Sequence, residues 1–173
     1  MGGIIMAYQT EKNLQQAFSG ESSAVRRYTL FAEKAEKEGQ KQAARLFKAA
    51  AEAEMVHSRN HINAMDGVGA TKDNLLAASM GERGEFTDMY PPMITKAKEE
   101  RNDRAERTFD WANKVEKIHF GLFDTMYKEV KEGKPVKDAA YYVCPVCGNT
   151  VEGSAPDKCP ICATPGTKFK KIE

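Results

Sequence analysis

The sequence predicts an all-α four-helix bundle followed by a small domain built around a metal. Three observations predict it. From about Thr10 to Lys131 the chain is dominated by Ala, Glu, Lys, Gln, Leu and Met, with apolar residues at helical spacing and Gly and Pro rare. Turn signals at Gly39 and near Asn102 divide that region into hairpins. All four cysteines fall between Cys144 and Cys162, as two Cys-x-x-Cys pairs.

The first helix is expected over Glu11 to Glu38, ending at Gly39, and the second over Gln40 to Met65, ending at Asp66-Gly67. Val68 to Ser79 reads as a long connection containing a short helix around Asn74 to Ala78. The third helix is expected over Met80 to Arg101. Pro91-Pro92 should kink it, because proline lacks the backbone donor and clashes with the preceding turn. The fourth runs from Asp103 to Glu132 and ends at Gly133-Lys134-Pro135. Two short joints with a long connection between them suit a bundle with one crossover, the ferritin-like plan; an up-down-up-down bundle is the alternative. After Pro135 the character changes, and Tyr141 to Glu173 holds every cysteine and four of the seven prolines. So short a segment cannot bury a core large enough to fold alone, so a metal staple is expected. The expected domains are residues 1–135 and 136–173.

Apolar residues make up 41% and charged residues 29%, with a formal net charge of +1. That balance carries no basic excess, which argues against nucleic acid as a partner. Mixed runs such as Glu33-Lys34-Ala35-Glu36-Lys37-Glu38 read as solvated helix faces. No apolar run reaches membrane-spanning length, so no membrane partner is expected. Met1 to Ala7 lacks the basic region and the apolar length of a signal peptide. The expected location is cytoplasmic, where clustered cysteines argue for metal rather than disulfides.

Each predicted helix carries an apolar stripe that a carboxylate interrupts. Glu21 lies among Leu14, Ala17, Phe18, Ala24, Val25, Tyr28, Phe31 and Ala32. Ala43, Leu46, Phe47 and Ala50 continue into Glu54 and His57. Glu82 and Glu85 share a face with Ala78, Met89 and Met93, and Glu116 and His119 interrupt Ala105, Phe109, Ala112, Phe123 and Met126. These five glutamates and two histidines are expected to point inward. Converging unpaired carboxylates are costly to bury, and two iron ions would neutralise them. Glu54-x-x-His57 and Glu116-x-x-His119 each set a carboxylate and an imidazole on one helix face. Counted from Gly39 and from Asn102, the polar groups of each hairpin also fall at similar depth. His61, the third histidine, has no such partner and reads as a core or supporting residue.

Cys144-Pro-Val-Cys147-Gly and Cys159-Pro-Ile-Cys162 form two metal knuckles. Four thiolates at this spacing close a tetrahedral site for iron or, alternatively, for structural zinc. Proline after the first cysteine of each knuckle, and Gly148 after the first knuckle, favour iron, because tight turns aim amide N–H groups at sulfur. Ala163 stands where a second glycine is common.

Over nearly its whole length the sequence resembles the rubrerythrins. The matching segments are Ala17-Phe18-Ser19-Gly20-Glu21-Ser22, Glu54-Met55-Val56-His57, Gly81 to Pro91, Glu116-Lys117-Ile118-His119 and the two cysteine knuckles. The resemblance implies a ferritin-like bundle with a carboxylate-bridged two-iron site, and a C-terminal rubredoxin-like domain with one iron on four cysteines, where zinc could substitute. It implies a cytoplasmic homodimer, with or without exchange of helices between subunits, that reduces hydrogen peroxide to water in oxidative-stress defence. Electrons would come from a nicotinamide nucleotide through a separate redox protein, a rubredoxin or a reductase, and enter at the four-cysteine iron. Carried over by position, Glu21, Glu54, Glu82, Glu116 and His119 would bind the iron pair. His57 and Glu85 would be its exchangeable ligands, and Tyr28 and Tyr90 would hydrogen-bond around it. Cys144, Cys147, Cys159 and Cys162 would hold the third iron. Iron storage, pure electron carriage and a zinc-stapled tail are the competing readings. The short linker Gly133 to Ala140 suggests that a tail cannot reach the site of its own chain and docks on a second one.

Overall fold

The computed structural model describes residues 2–173, with side chains from Gln9 onward. The reading of Met1 to Ala7 as no signal peptide falls on side chains outside that description. The chain forms two compact units, one ending at Gly69 and one running from Ala70 to Glu173.

The first unit is a helical hairpin of α1 (Gly2–Lys37) and α2 (Lys41–Ala64). Gly39 takes φ +75°, which frees Gln40 N–H to donate to the Ala35 carbonyl at 2.8 Å and close the end of α1. Small residues at the seam let the helices approach: Ala24, Ala32, Ala35 and Ala44 are buried. Tyr28, Phe31 and Phe47 pack as an aromatic cluster, with ring centroids 5.5 Å apart for Phe31 and Phe47.

The second unit contains α3 (Thr71–Gly84), a π-helical turn (Glu85–Met89), α4 (Tyr90–Glu99) and α5 (Asp103–Lys131). One expectation is corrected here. The third helix starts at Thr71, so only residues 65–70 connect α2 to α3. Asp73 in the first turn complements the helix dipole, and Leu75 to Ala78 are good helix formers, which extends α3 toward its N-terminus. At the proline pair, where a kink is expected, the helix is interrupted by a π-helical turn, Glu85–Met89, immediately before it. Pro91 and Pro92 sit in the first turn of α4, and the backbone widens just before them, with Tyr90 N–H donating to the Glu85 carbonyl. Asn102 caps α5 by accepting the Ala105 N–H at 3.1 Å. Val115, Ala97 and Ser79 are buried where α5 packs against α3 and α4. Phe86 against Phe120 and Tyr90 against Phe109 complete that packing.

The tail is a three-stranded antiparallel sheet of order β2-β1-β3, with β1 at Tyr141–Val143, β2 at Thr150–Glu152 and β3 at Lys170–Ile172. Tyr142 pairs with Val151 on one side and Lys171 on the other. After α5 the chain reverses at Gly133, φ +64°, and β2 packs back against α5. The linker therefore does not keep the tail away from its own chain: it returns the tail along the helix that precedes it. Among the described residues no helix is long and apolar enough to cross a membrane.

Candidate metal centres

The first hairpin brings together Glu21 from α1 with Glu54 and His57 from α2, their ligand atoms all within 4.8 Å of one another. The three-residue spacing on α2 puts His57 Nδ1 2.7 Å from Glu54 Oε2. Tyr28 lines the same cleft as Glu21 and Glu54. His57 departs from the inward expectation, since its side chain is 54% exposed while that of Glu54 is 20% exposed. A two-helix hairpin is too shallow to cover the flanks of its inner face. Leu30, Phe31, Met55 and Val56 are exposed in the same unit for that reason.

The second unit brings together Glu82 from α3 with Glu116 and His119 from α5, again within 4.8 Å. His119 Nδ1 lies 2.8 Å from Glu116 Oε2 and 3.9 Å from Glu82 Oε1. Burial pushes the Glu82 carboxyl up to about 7, helped by the charge of Glu116, a hydrogen bond with it, and the charge of Glu85. Glu85, the first residue of the π-helical turn, stands outside the triad but close to it. Burial and the Glu116 charge raise its pKa, against an opposing effect of His119. The Tyr90 phenol is raised by burial and then by Glu85, Glu116 and Glu82, which sets it beside the same carboxylates. A carboxyl such as Glu82, forced to keep its proton near neutrality, is a group in want of a cation. The donor set fits iron: carboxylate oxygens and imidazole nitrogens, converging in threes.

The other ring nitrogen of His119 has a partner that the sequence did not suggest. His119 Nε2 lies 2.9 Å from Thr150 Oγ1 on β2, and Thr150 Oγ1 donates to the Gly148 carbonyl at 3.0 Å. The two residues are separated by 31 positions, and no helical or strand period connects them.

The four cysteines converge as expected. Cys144 and Cys159 are buried, and Cys147 and Cys162 are partly exposed. Sγ–Sγ separations of 3.5 Å for Cys144–Cys162 and Cys147–Cys159 fit a tetrahedron, whose edge for metal–sulfur bonds of about 2.3 Å is about 3.8 Å. The two knuckles are built alike. Gly148 N–H donates to Cys144 C=O at 3.0 Å and Ala163 N–H to Cys159 C=O at 3.0 Å. Both turns need left-handed backbone, with φ +82° at Gly148 and +64° at Ala163. Burial pushes the Cys147 thiol up. Burial also acts against the Cys162 thiolate, but the hydroxyl and N–H of Thr164 outweigh it, with Cys147 and Cys144 assisting, and bring it down to about 6. The Thr164 hydroxyl lies 3.1 Å from Cys162 Sγ.

A family model described as Rubrerythrin matches residues 12–127, and one described as Rubrerythrin, rubredoxin-like domain matches residues 142–170. The chain belongs to the rubrerythrin family. It is 37% identical to Rubrerythrin-2 of Clostridium acetobutylicum over 171 residues, covering 91% of this chain and 93% of that one. It is 33% identical to nigerythrin of Nitratidesulfovibrio vulgaris over 174 residues, covering 92% and 85%. A solved structure of nigerythrin in a mixed-valence state matches with a TM-score of 0.56 at 33% identity, covering 94% of this chain and 86% of that one. A fully reduced, all-ferrous nigerythrin structure matches with the same score and coverage. This rubrerythrin accordingly joins ferritin-like helices to a rubredoxin-like tail, as expected, and its cofactors are a two-iron carboxylate site and a four-cysteine iron. It is an oxidoreductase of the peroxidase-like, oxidative-stress type.

Proposed function

We propose that this rubrerythrin reduces hydrogen peroxide to water in the cytoplasm with electrons that enter through the four-cysteine iron. The observation that carries the reading is the pair of matched triads, Glu21-Glu54-His57 and Glu82-Glu116-His119, in a chain that also holds a tetrahedral cysteine site. An iron pair held there would supply two electrons to one peroxide, and two protons would complete two waters. The chain's own residues do the rest. Glu54 and Glu116, each hydrogen-bonded to the histidine of its own helix, would be ligands to that pair. Glu21 and Glu82 would complete the carboxylate set, and Glu85 and His57 would be exchangeable ligands for the oxidised and reduced states. Tyr90 and Tyr28 lie near these carboxylates and would donate hydrogen bonds around the site. Residues 1–135 form the iron-pair domain, and 136–173 form the electron-entry domain, served by a rubredoxin or reductase linked to a nicotinamide nucleotide.

A second copy of the chain belongs to this reading. Residues 65–70, fully extended, bridge at most about 24 Å. The 24 residues of α2 rise about 36 Å. The ferritin-like order of helices needs a connection as long as the bundle, so a homodimer that exchanges hairpins satisfies it where one chain alone does not.

The test uses protein purified without oxygen. Iron analysis should give three ions per chain, and dithionite should bleach the red colour. One equivalent of peroxide should then oxidise two ferrous ions without releasing oxygen, and the mass in solution should be twice 19.2 kDa. Zinc alone in the tail, or ferrous iron oxidised faster by dioxygen than by peroxide, would overturn the peroxidase reading.

A further inference from the structure

We propose that Thr150, on the first strand after the cysteine knuckle, is a positioning residue for the metal ligand His119. The Thr150 hydroxyl has one proton, and it goes to the Gly148 carbonyl at 3.0 Å. Its oxygen is left to face His119 Nε2 as an acceptor at 2.9 Å. His119 must then carry its proton on Nε2. That leaves the Nδ1 lone pair for the metal, on the side where Glu116 Oε2 lies at 2.8 Å and Glu82 Oε1 at 3.9 Å. The ring is held at both nitrogens and its orientation is fixed.

The partner comes from the tail, not from the helices. Thr150 pairs with Val143 in the sheet, and Gly148 follows Cys147 directly, so the hydroxyl is set by the knuckle itself. An added Cβ at Gly148 would lie 3.8 Å from Val115 Cγ1, which shows how closely the knuckle seats on α5 one turn before His119. Docking of the tail and orientation of the ligand are thereby one event. The same short chain of bonds, Cys147 to Gly148 to Thr150 to His119, joins the cysteine site to the helical site. A valine of the same shape at this position would keep the packing and lose the acceptor.

The consequence for metal rests on the iron-pair reading, whereas the contact itself does not, and the experiment separates the two. Wild type, Thr150→Val and Thr150→Ser are prepared with zinc in the tail and in the helical site, and with ¹⁵N-labelled histidine. Wild type and Thr150→Ser should show a His119 Nε2–H proton protected from exchange with water, with a nuclear Overhauser contact to residue 150. Thr150→Val should lose the protection. In a cobalt(II) titration of protein holding zinc only in the tail, Thr150→Val should weaken helical-site binding by about 10–100-fold, and Thr150→Ser should restore it. The visible spectrum of the iron-loaded tail should be the same in all three, which removes a misfolded tail as the cause. Metal on Nε2, or equal cobalt affinity for wild type and Thr150→Val, would overturn the assignment. A protected Nε2–H contact in a wild type that takes no cobalt would support the contact and sink the iron-pair reading instead.

Discussion

Replacing Glu82 by glutamine should stabilise the metal-free rubrerythrin and destroy its capacity for iron. In the fold the Glu82 carboxyl titrates at about 7, against 4.5 in an unfolded chain, because burial and the neighbouring Glu116 oppose its charge. A carboxyl raised by folding contributes its stability fully below about pH 4.5, where both states hold the proton. That contribution is lost as pH rises toward 7, because the unfolded chain ionises first and gains from it. The gap between 4.5 and about 7 corresponds to about 3 kcal/mol before screening. One fifth of the side chain is open to water, 20% by area, and screening there brings the expected loss to about 1–2 kcal/mol. Glutamine keeps the shape and never ionises, so this pH dependence should vanish in the variant. Urea denaturation at pH 5 and pH 8, with the helical sites stripped of metal and zinc in the tail, measures it. Wild type should lose about 1–2 kcal/mol more than Glu82→Gln between the two pH values. With iron added at pH 8 the order should invert, since only wild type gains the metal's binding energy. Parallel pH curves for the two proteins would refute the reasoning.

Three further outcomes are expected. Ala163→Gly should stabilise the tail by about 0.5–1 kcal/mol, because alanine is strained at φ +64° and glycine is not; the temperature of colour loss in the iron-loaded protein reads it. Thr164→Val removes a hydroxyl 3.1 Å from Cys162 Sγ and should lower the potential of the tail iron by tens of millivolts, since hydrogen bonds to thiolate favour the more negative, reduced site; redox titration of the visible band checks it. His57→Ala should reduce ferrous occupancy of the helical site more than ferric, and Glu85→Ala the reverse; iron counts before and after reduction distinguish them, and equal losses in both states would end the ligand-exchange idea.

The features legible in the sequence were local ones. An amphipathic period, a Glu-x-x-His pair and a Cys-Pro-x-Cys knuckle each lie within a few turns of chain, so composition and spacing reveal them. The triads at Glu21-Glu54-His57 and Glu82-Glu116-His119 followed because turn positions at Gly39 and Asn102 fix the depth of residues on paired helices. The π-helical turn at Glu85 was not legible, because it arises from competition between missing donors at Pro91-Pro92 and continued helical packing on α5. The start of α3 at Thr71 was hidden by Val68-Gly69-Ala70, whose loop character spilled over the polar residues after it. Thr150 had no signal at all, because a contact between a helix and a strand 31 residues later has no period to detect.

The short α2–α3 connection has consequences for the chemistry as well as for assembly. Each unit alone offers three ligands around one position, too few to hold two ions in a carboxylate-bridged pair. His57 is exposed, and so, at other points of the same hairpin, are Leu30, Phe31, Met55 and Val56. If the second hairpin comes from another copy, iron binding and dimerisation are thermodynamically linked, and each strengthens the other. Dilution of the metal-free protein should then release monomers at concentrations where the iron-loaded protein stays dimeric. Sedimentation velocity across a dilution series reads that difference. Identical dissociation with and without iron would mean that each chain completes its own site, and the crossover would have to be made some other way.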